Sequence, residues 1–354
     1  MEEVRALRGT TLPSRTLEVT CAVGALLLAL LSSCKEGNRP ERSGARAIGP
    51  TTTAPPATAP PATPPVVVPS TPAGDVTVVA AGDIACDPAD DQYRDGAGAA
   101  RECHQRATAD LAMAQSPQAV LLLGDIQYET GTIGGFRASF DRTWGRLKDI
   151  SYPAPGNHEY ASGPAAGYFQ YFGPIAGRAD QGWYSFDLGA WHVIALNSNC
   201  TKVLGGCGRN SPQTTWLRAD LAAHPNACTL AFWHHPRFSA GKDGSDPRTD
   251  RIWRALYEGG ADVVLVAHNH VYERFAPLDG DGRVDRARGI REFVVGTGGR
   301  SFTRFRTSVA GSEARNDETF GVLRLNLRSA GYDWQFVPEP KPGAFTDSGS
   351  DVCH

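Results

Sequence analysis

The sequence lacks several features that would define its class. Its formal net charge is only −3 over 354 residues, so it has none of the positive surplus by which many proteins bind nucleic acids. No two cysteines have the CxxC spacing that favours a zinc site, and no internal repeat is visible. The apolar run at 21–31, CAVGALLLALL, is much shorter than the roughly 20 residues that span a bilayer. We therefore expect a globular protein with no nucleic-acid scaffold role.

The first 34 residues are typical of an export signal. Arg5, Arg8 and Arg15 precede the apolar run, and small residues then lead to Cys34. This order resembles a bacterial lipoprotein signal peptide, in which Cys34 would be lipidated after cleavage. An ordinary secretory signal, cut nearby without lipid, is the alternative. We expect an exported bacterial protein, either a cell-surface lipoprotein or a secreted one.

Residues 35–74 are predicted to be a disordered linker. They are dense in proline, threonine and alanine and follow neither the helical nor the strand period. Such a composition favours extended, polyproline-like chain and builds no packed interior. We expect the linker to hold one domain, residues 75–354, away from a membrane or cell wall. A disordered tail without that role is the alternative.

The remaining six cysteines indicate disulfide bonds, because an exported chain with an even number of cysteines usually pairs them. Six cysteines allow many pairings, so the sequence does not settle the connectivity. The pairing that we predict joins near neighbours first and leaves the last pair to tie down the C-terminus: Cys86–Cys103, Cys200–Cys207 and Cys228–Cys353.

From residue 75 onward, apolar runs alternate with helix-like stretches. The predicted strands cover 76–81, 119–123, 152–155, 183–186, 191–196, 229–233, 263–267, 292–295, 322–327 and 332–337. The predicted helices cover 104–114, 136–147 and 212–223, the last with Ser211 as its N-cap. Strands separated by helices imply βα units, and adjacent strands imply antiparallel pairs. The expected fold class is α/β (α+β), with two packed mixed β-sheets flanked by helices.

Five short polar motifs each follow an apolar run. They are Ala-Gly-Asp83, Gly-Asp125-Ile-Gln-Tyr128, Gly-Asn157-His158-Glu159, His234-His235-Pro236 and His268-Asn269-His270. In open α/β sheets, ligands gather beyond the carboxyl ends of strands, so these motifs are expected to converge. Their carboxylate, amide, phenolate and imidazole groups are enough to hold two adjacent metal ions. A metal pair suits in-line attack on phosphorus.

The order of the motifs resembles the calcineurin-like metallophosphoesterase family over roughly residues 76–300. Tyr128 and the tail Tyr272-Glu273-Arg274 are similar to its purple acid phosphatase branch, whereas Ala267 stands where the family usually has glycine. The resemblance implies a four-layer sandwich. It also implies hydrolysis of small phosphate monoesters by a hydroxide that bridges two metals. The alternatives are a phosphodiesterase acting on nucleotides or lipid head groups, or a non-catalytic surface-binding protein.

The resemblance also implies a role for each motif residue. The first metal, iron in the purple branch, would take Asp83, Asp125, Tyr128 and His270. The second, which would be iron, zinc or manganese, would take Asp125, Asn157, His234 and His268. Asp125 would therefore bridge the pair. His158 would be catalytic, facing the leaving group as a general acid or as a stabiliser of its developing charge.

The segment 236–250 departs from the family pattern. Plant-like purple phosphatases carry substrate-facing histidines in this region, and here it contains none. We expect Arg237 and Lys242 to bind phosphate instead, through charge and hydrogen bonds. His235, beside a predicted metal ligand, is a further candidate for substrate binding.

Other polar residues are interpreted as structural. His104, His192 and His224 occupy helix, hairpin and loop contexts. Glu273 and Arg274 are expected to form a buried ion pair, with contact to substrate as the alternative.

Overall fold

Two β-sheets with helices outside them make up the part of the chain that the computed structural model describes, residues 74–225 and 228–354. The predicted signal peptide, Cys34 and all but the last residue of the predicted linker lie outside the described residues. Within the described ranges, no helix is long and apolar enough to cross a membrane.

The sheets contain thirteen strands. In chain order they are β1 (Val76–Ala81), β2 (Ala119–Leu123), β3 (Ser151–Ala154), β4 (Tyr184–Leu188), β5 (Trp191–Ala195), β6 (Cys228–Phe232), β7 (Val263–Val266), β8 (Tyr272–Phe275), β9 (Arg291–Val295), β10 (Ser312–Asn316), β11 (Gly321–Arg328), β12 (Gly331–Pro338) and β13 (Asp347–Val352). Five α-helices connect them: α1 (Gln105–Ala114), α2 (Ile133–Ala138), α3 (Ala166–Phe172), α4 (Pro212–Ala223) and α5 (Asp250–Glu258).

Both sheets are mixed. The first has the order β13-β12-β11-β1-β2-β3, in which β1, β2 and β3 are parallel and β11 runs antiparallel to β1. The second has the order β10-β8-β9-β7-β6-β5-β4, with a parallel centre from β5 through β6 and β7 to β9. This arrangement confirms the predicted fold class.

The strand pleat explains why the central strands are apolar on both faces. Val78 and Ala80 of β1 pack into the core between the two sheets, while Val79 and Ala81 pack against helices outside the first sheet. The helices α4 and α5 cover the outer face of the second sheet in the same way, through residues such as Leu217 and Trp253. Strands buried on both faces read as continuous hydrophobic runs, and the layers form a helix–sheet–sheet–helix sandwich.

The predicted helix at 136–147 is wrong as a single element. Helix α2 ends at Ala138, and two short 3₁₀ turns follow, at Phe140–Arg142 and Trp144–Ile150. The helical backbone is interrupted at Ser139, whose hydroxyl donates a hydrogen bond to the carbonyl of Cys86. The next amide, of Phe140, donates to the side chain of Gln127 instead of to the preceding turn. Contacts outside the segment therefore override its helical period.

All three predicted disulfides are present: Cys86–Cys103, Cys200–Cys207 and Cys228–Cys353. The third joins the start of β6, in the second sheet, to the residue after β13, in the first sheet. It therefore ties the C-terminal strand to the opposite layer of the sandwich.

Candidate metal centre

The predicted site residues come together at one edge of the sandwich. Asp83 follows β1, Asp125 follows β2 and Asn157 follows β3 of the first sheet, while His234 follows β6 and His268 follows β7 of the second. The carboxyl ends of the parallel strands of both sheets meet there, as expected for ligand-binding loops. Hydrogen bonds across this edge, such as the one from the Asp83 amide to the Gly124 carbonyl, join consecutive loops.

One half of the site surrounds the Tyr128 hydroxyl. Its oxygen lies 2.8 Å from Asp83 Oδ1, 3.2 Å from Asp125 Oδ2 and 3.0 Å from His270 Nε2. When His270 Nε2 carries no proton, all three neighbouring atoms are acceptors, and the hydroxyl has a single proton to donate. The cluster therefore has more lone pairs than protons, which is the arrangement that a cation stabilises.

The other half surrounds His234 Nε2. This nitrogen lies 3.2 Å from Asp125 Oδ2, 3.2 Å from Asn157 Oδ1 and 3.1 Å from His268 Nδ1. His234 Nδ1 lies 2.9 Å from the Leu123 carbonyl, which can only accept, so Nδ1 donates to it and Nε2 is the nitrogen that faces the other ligand atoms. Asp125 Oδ2 belongs to both halves of the site.

Three of these residues adopt left-handed backbone conformations. The φ angles are 57° at Asp83, 47° at Asp125 and 69° at His268. Residues with side chains rarely adopt such angles, and they persist where the surrounding structure requires them, often at functional sites. The close approach of the loops also requires Gly156, because a Cβ there would lie 2.2 Å from the Asp125 amide nitrogen.

The departure at Ala267 is accommodated by Gly82 on the facing loop. A Cβ added at Gly82 would lie 2.4 Å from the Cβ of Ala267. The glycine on one side thus makes room for the alanine on the other, and the loop that carries His268 keeps its position.

Burial dominates the electrostatics of the site. It raises the pKa of Asp83 to about 7. Burial alone would raise the pKa of Asp125 as well, but the neighbouring His234 reverses the shift and holds that pKa below its usual range. Burial lowers the pKa of His268 to about 4 and that of His270 to about 3. Both imidazoles are therefore neutral near pH 7, the state in which histidine binds metal.

The donor set fits a pair of metal ions. Asp83 Oδ2 is buried and has no hydrogen-bond partner among the described residues, a costly state for a carboxylate oxygen unless a cation neutralises it. Asp83, Asp125 and His234 also offer ligand atoms within 4.8 Å of one another. Mixed carboxylate, phenol, amide and imidazole ligands suit iron, zinc or manganese.

Glu159, to which the sequence analysis assigned no role, holds the loops of the site together. Its carboxylate accepts hydrogen bonds from the backbone amides of Asp125, Ile126, Gln127 and Gly156, at 2.7 to 3.1 Å. Burial raises its pKa to about 7. The only sequence signal for this role was its place at the end of the Gly-Asn-His-Glu motif.

His158 lies at the edge of the site. Its Nδ1 is 2.6 Å from the Glu129 carbonyl and therefore donates to it, while Nε2 lies 3.9 Å from Asp125 Oδ2. The ring stacks at a tilt on Tyr128, with centroids 4.2 Å apart. The side chain is 27% exposed, enough for it to meet a bound ligand.

The segment after β9 supports the site from a third side. The Ser301 hydroxyl lies 2.9 Å from His270 Nδ1, which leaves Nε2 to face Tyr128. Arg300 lies over the Tyr128 ring and pairs with Glu129 at 2.8 Å. Its carbonyl accepts from the amide of Cys103, so the Cys86–Cys103 disulfide fastens this segment. Neither Arg300 nor Ser301 belongs to a recognisable motif.

The loop 236–250 is held by two carboxylates, of which Glu292 is buried and Asp250 is partly exposed. The amide of Arg237 donates to Glu292, and its guanidinium pairs with Asp250 at 3.0 Å. The guanidinium of Arg237 is thus already engaged by an acid of helix α5. Lys242 is exposed.

Glu273 and Arg274 do not pair with each other, contrary to the expectation from the sequence. They are neighbours on β8, so their side chains point to opposite faces of the sheet. Glu273 accepts hydrogen bonds from the loop at Ser239 and Ala240. Arg274 pairs with Asp347 of β13 at 2.8 Å. Each residue joins a different segment to β8.

Comparisons with known proteins agree with this geometry. The chain is 26% identical to purple acid phosphatase 15 of Arabidopsis thaliana over 45% of this chain and 36% of that protein. It is 28% identical to a 3',5'-cyclic-nucleotide phosphodiesterase of Nostoc sp. over 44% of this chain and 56% of that protein. The structure of purple acid phosphatase from yellow lupin seeds superposes with a TM-score of 0.64 at 19% identity, over 79% of this chain and 54% of that one.

These matches cover only part of each relative. The chain thus spans about a third to somewhat more than half of the length of the curated relatives that it matches. The structural likeness to the lupin enzyme establishes the shared fold. A model of the calcineurin-like phosphoesterase family matches residues 76–272, which include all five motifs and more than half of the chain. The chain belongs to the calcineurin-like phosphoesterase family and resembles its purple acid phosphatase-like branch.

Proposed function

We propose that this protein is a dinuclear-metal phosphoesterase that hydrolyses small phosphate monoesters. The observation that carries the proposal is the position of Asp125 Oδ2. It lies 3.2 Å both from the Tyr128 hydroxyl and from His234 Nε2, at the junction of the two halves of the site. One carboxylate shared between two ligand clusters is an arrangement that suits a pair of adjacent metals.

The ligands divide between the two halves. The first metal, iron, would be held by Asp83, Asp125, Tyr128 and His270. The second, iron, zinc or manganese, would be held by Asp125, Asn157, His234 and His268. The unpartnered Asp83 Oδ2 and the neutral imidazoles of His268 and His270 support this division.

A metal pair held in this way supplies a nucleophile derived from water near neutral pH and offsets charge on the phosphoryl oxygens. The residues of the chain orient the reaction. The Glu129 carbonyl fixes the ring of His158 through Nδ1, so Nε2 is the nitrogen that faces the leaving group. In its cationic form His158 carries a proton on Nε2 and donates it to the leaving oxygen.

Phosphodiester hydrolysis is the second candidate. A relative is a cyclic-nucleotide phosphodiesterase, and the loop 236–250 lacks the histidines that plant-like phosphatases place near the substrate. The guanidinium of Arg237 is engaged by Asp250, which weakens its case as a phosphate ligand. His235 and Lys242 remain the candidates of this region for substrate contact.

Competing substrates test the reaction class. The purified protein, loaded with iron, zinc or manganese, is offered an aryl phosphate monoester and the matching diester at equal concentration. We expect the monoester to be hydrolysed faster, and Asp125→Asn to lose at least about 100-fold in kcat, since even residues that only orient ligands are worth about 10- to 100-fold. Preferential diester hydrolysis supports the second candidate. No hydrolysis of either ester supports a non-catalytic surface protein.

The identity of the first metal is tested by colour. A tyrosinate bound to iron(III) absorbs visible light by charge transfer. We expect iron-loaded protein to show a visible band that Tyr128→Phe abolishes, while Tyr152→Phe, a matched change at another buried tyrosine, retains it. A band that persists in Tyr128→Phe would remove Tyr128 from the ligand set.

We also propose that the protein is exported and tethered through its N-terminus. Three disulfides support an oxidising compartment outside the cytoplasm. Lipid attachment at Cys34 predicts that radiolabelled fatty acid is incorporated into the wild-type chain and not into Cys34→Ser. Equal labelling of both chains would contradict lipid attachment at Cys34, and release of unlabelled protein would indicate an ordinary secretory signal.

A further inference from the structure

His235 makes contacts on its backbone and on one ring nitrogen that fix its orientation. Its Nδ1 lies 2.8 Å from the hydroxyl oxygen of Ser198, and its backbone amide donates to the same oxygen at 3.0 Å. Its carbonyl accepts from the indole of Trp233 at 2.7 Å. The residue is only 5% exposed, so these contacts hold the imidazole in one position.

The contacts at Ser198 determine where the proton of the His235 ring lies. Ser198 is fully buried, and its hydroxyl makes no other side-chain hydrogen bond within the described part of the chain. It already accepts from the His235 amide, so its own proton needs an acceptor, and His235 Nδ1 is the one within reach. Nδ1 is therefore unprotonated, and the neutral ring carries its proton on Nε2.

Nε2 is the nitrogen that remains for a ligand. It makes no hydrogen bond to any described residue, although the side chain is buried. The ring faces the second half of the site, with its centroid 4.5 Å from that of His268 and 4.9 Å from that of His234. A protonated nitrogen has no lone pair for a metal. His235 therefore differs from its two neighbours, although all three offer ring nitrogens within 4.8 Å of one another.

We propose that His235 is a hydrogen-bond donor to a phosphoryl oxygen of the substrate, and that Ser198 is the positioning residue that selects its tautomer. This inference rests on the proposed phosphoesterase function. It specifies how the site binds its substrate without the histidines that are missing from residues 236–250. The buried ring lies beside His234 and His268, on the side of the site where these two residues converge with Asn157. A phosphoryl group there receives one neutral donor from the protein in addition to its contacts with the metals.

Ser198 is itself held firmly enough for this task. It follows β5, next to Asn197, whose amide donates to the side chain of Gln213 on helix α4 at 2.7 Å. On its other side, the Cys200–Cys207 disulfide closes the loop that follows. The backbone that carries the hydroxyl is therefore held in place on both sides of Ser198.

Nuclear magnetic resonance tests the tautomer directly. The zinc-loaded full-length protein is labelled with ¹⁵N-histidine, and the His235 signals are assigned by their loss in His235→Gln. We expect protonated Nε2 and unprotonated Nδ1. Ser198→Ala should shift the ring toward a mixture of tautomers, and Ser198→Thr, which keeps the hydroxyl, should restore the wild-type spectrum. A proton found on Nδ1 in the wild type would overturn the assignment of Ser198.

Binding of inorganic phosphate tests the donor role. For zinc-loaded His235→Gln, we expect unchanged metal content and a dissociation constant for phosphate that is about 10- to 100-fold higher, the cost of one hydrogen bond to a charged group. The matched control is His224→Gln, since this histidine precedes β6, at the opposite end of the strand from His234. It should bind phosphate as the wild type does.

The outcomes separate this inference from the proposed function. Loss of a metal equivalent in His235→Gln would make His235 a ligand, and unchanged phosphate binding would remove it from the site; either result overturns the inference. If the wild type hydrolyses no phosphoester yet binds phosphate through His235, the proposed function fails and the donor assignment stands.

Discussion

At the scale of single residues, two buried carboxylates have different tasks. Asp125 presents Oδ2 to both halves of the candidate metal centre. Glu159 presents its oxygens to four backbone amides, including that of Asp125, and makes no hydrogen bond to a candidate ligand side chain in the described residues. Glu159 therefore positions the ligand loops, whereas Asp125 offers the ligand atom.

This difference predicts the behaviour of Glu159→Gln. The amide group of glutamine would oppose one or more backbone donors, so we expect metal affinity to fall about 10- to 100-fold. The free energy of unfolding should fall by about 1–3 kcal/mol for each donor left unsatisfied. Metal titration and urea denaturation measure the two effects. Glu258→Gln, an exposed change at the end of α5, is the control, and equal behaviour of the two variants would contradict the positioning role.

The residues at strand ends could be predicted from the sequence because each belongs to a motif that follows an apolar run. Ser198 and Ser301 could not, since a single serine in a loop carries no pattern. Their roles depend on which histidine nitrogen they meet after folding. The roles of the motif residues toward metal stay predictions until metal binding is measured.

At the scale of elements, His192 connects the β4–β5 hairpin to helix α4. Its Nδ1 lies 2.9 Å from Asp187 and its Nε2 lies 2.8 Å from Asp220, and its ring stacks on His224. Burial alone would lower its pKa, but the hydrogen bonds to Asp220 and Asp187 reverse the shift and raise it above the usual 6.5. The expectation that His192 is structural agrees with these contacts.

The raised pKa of His192 predicts how stability depends on pH. The stabilisation is fully present below the unfolded value of about 6.5 and is lost as the pH rises through the higher folded value. We expect His192→Gln to lower the free energy of unfolding by about 1–3 kcal/mol at pH 5.5 and by less at pH 9. Denaturation curves at both pH values measure the difference. A difference in unfolding free energy between the wild type and His192→Gln that is larger at pH 9 than at pH 5.5 would contradict the predicted pH dependence.

An element could be predicted from the sequence where its own residues determine its secondary structure. Helix α4 runs from Pro212 to Ala223 as predicted, because Ser211 caps it through the amide of Thr214. Strand β13 has the sequence DSGSDV, which no hydrophobic alternation marks as a strand. It forms because β12 offers a complete edge for pairing. Elements of that kind become visible only in the folded chain.

At the scale of the whole molecule, the Cys228–Cys353 disulfide joins the two sheets across 125 residues of sequence. The Cys200–Cys207 bond closes a loop of only 7 residues. A cross-link restricts the unfolded chain more when its loop is longer. The two bonds therefore contribute to global stability in different degrees.

Paired serine substitutions test this difference. By loop entropy, removal of Cys228–Cys353 should cost about 5 kcal/mol of unfolding free energy, and removal of Cys200–Cys207 about 2 kcal/mol. Chemical denaturation of the two double variants measures both costs under the same conditions. A larger loss from the short loop would show that local strain or packing, rather than chain entropy, controls the effect.

The central claim is that one site, shared by both sheets, hydrolyses phosphoesters with two metal ions. The most direct test follows hydrolysis of an aryl phosphate while metal is added stepwise to metal-free protein, with bound metal counted in the same samples. We predict that the rate reaches its plateau at about two equivalents per chain and that Asp125→Asn reaches no comparable plateau. A full rate at one equivalent or none, or no hydrolysis with two metals bound, would contradict the claim.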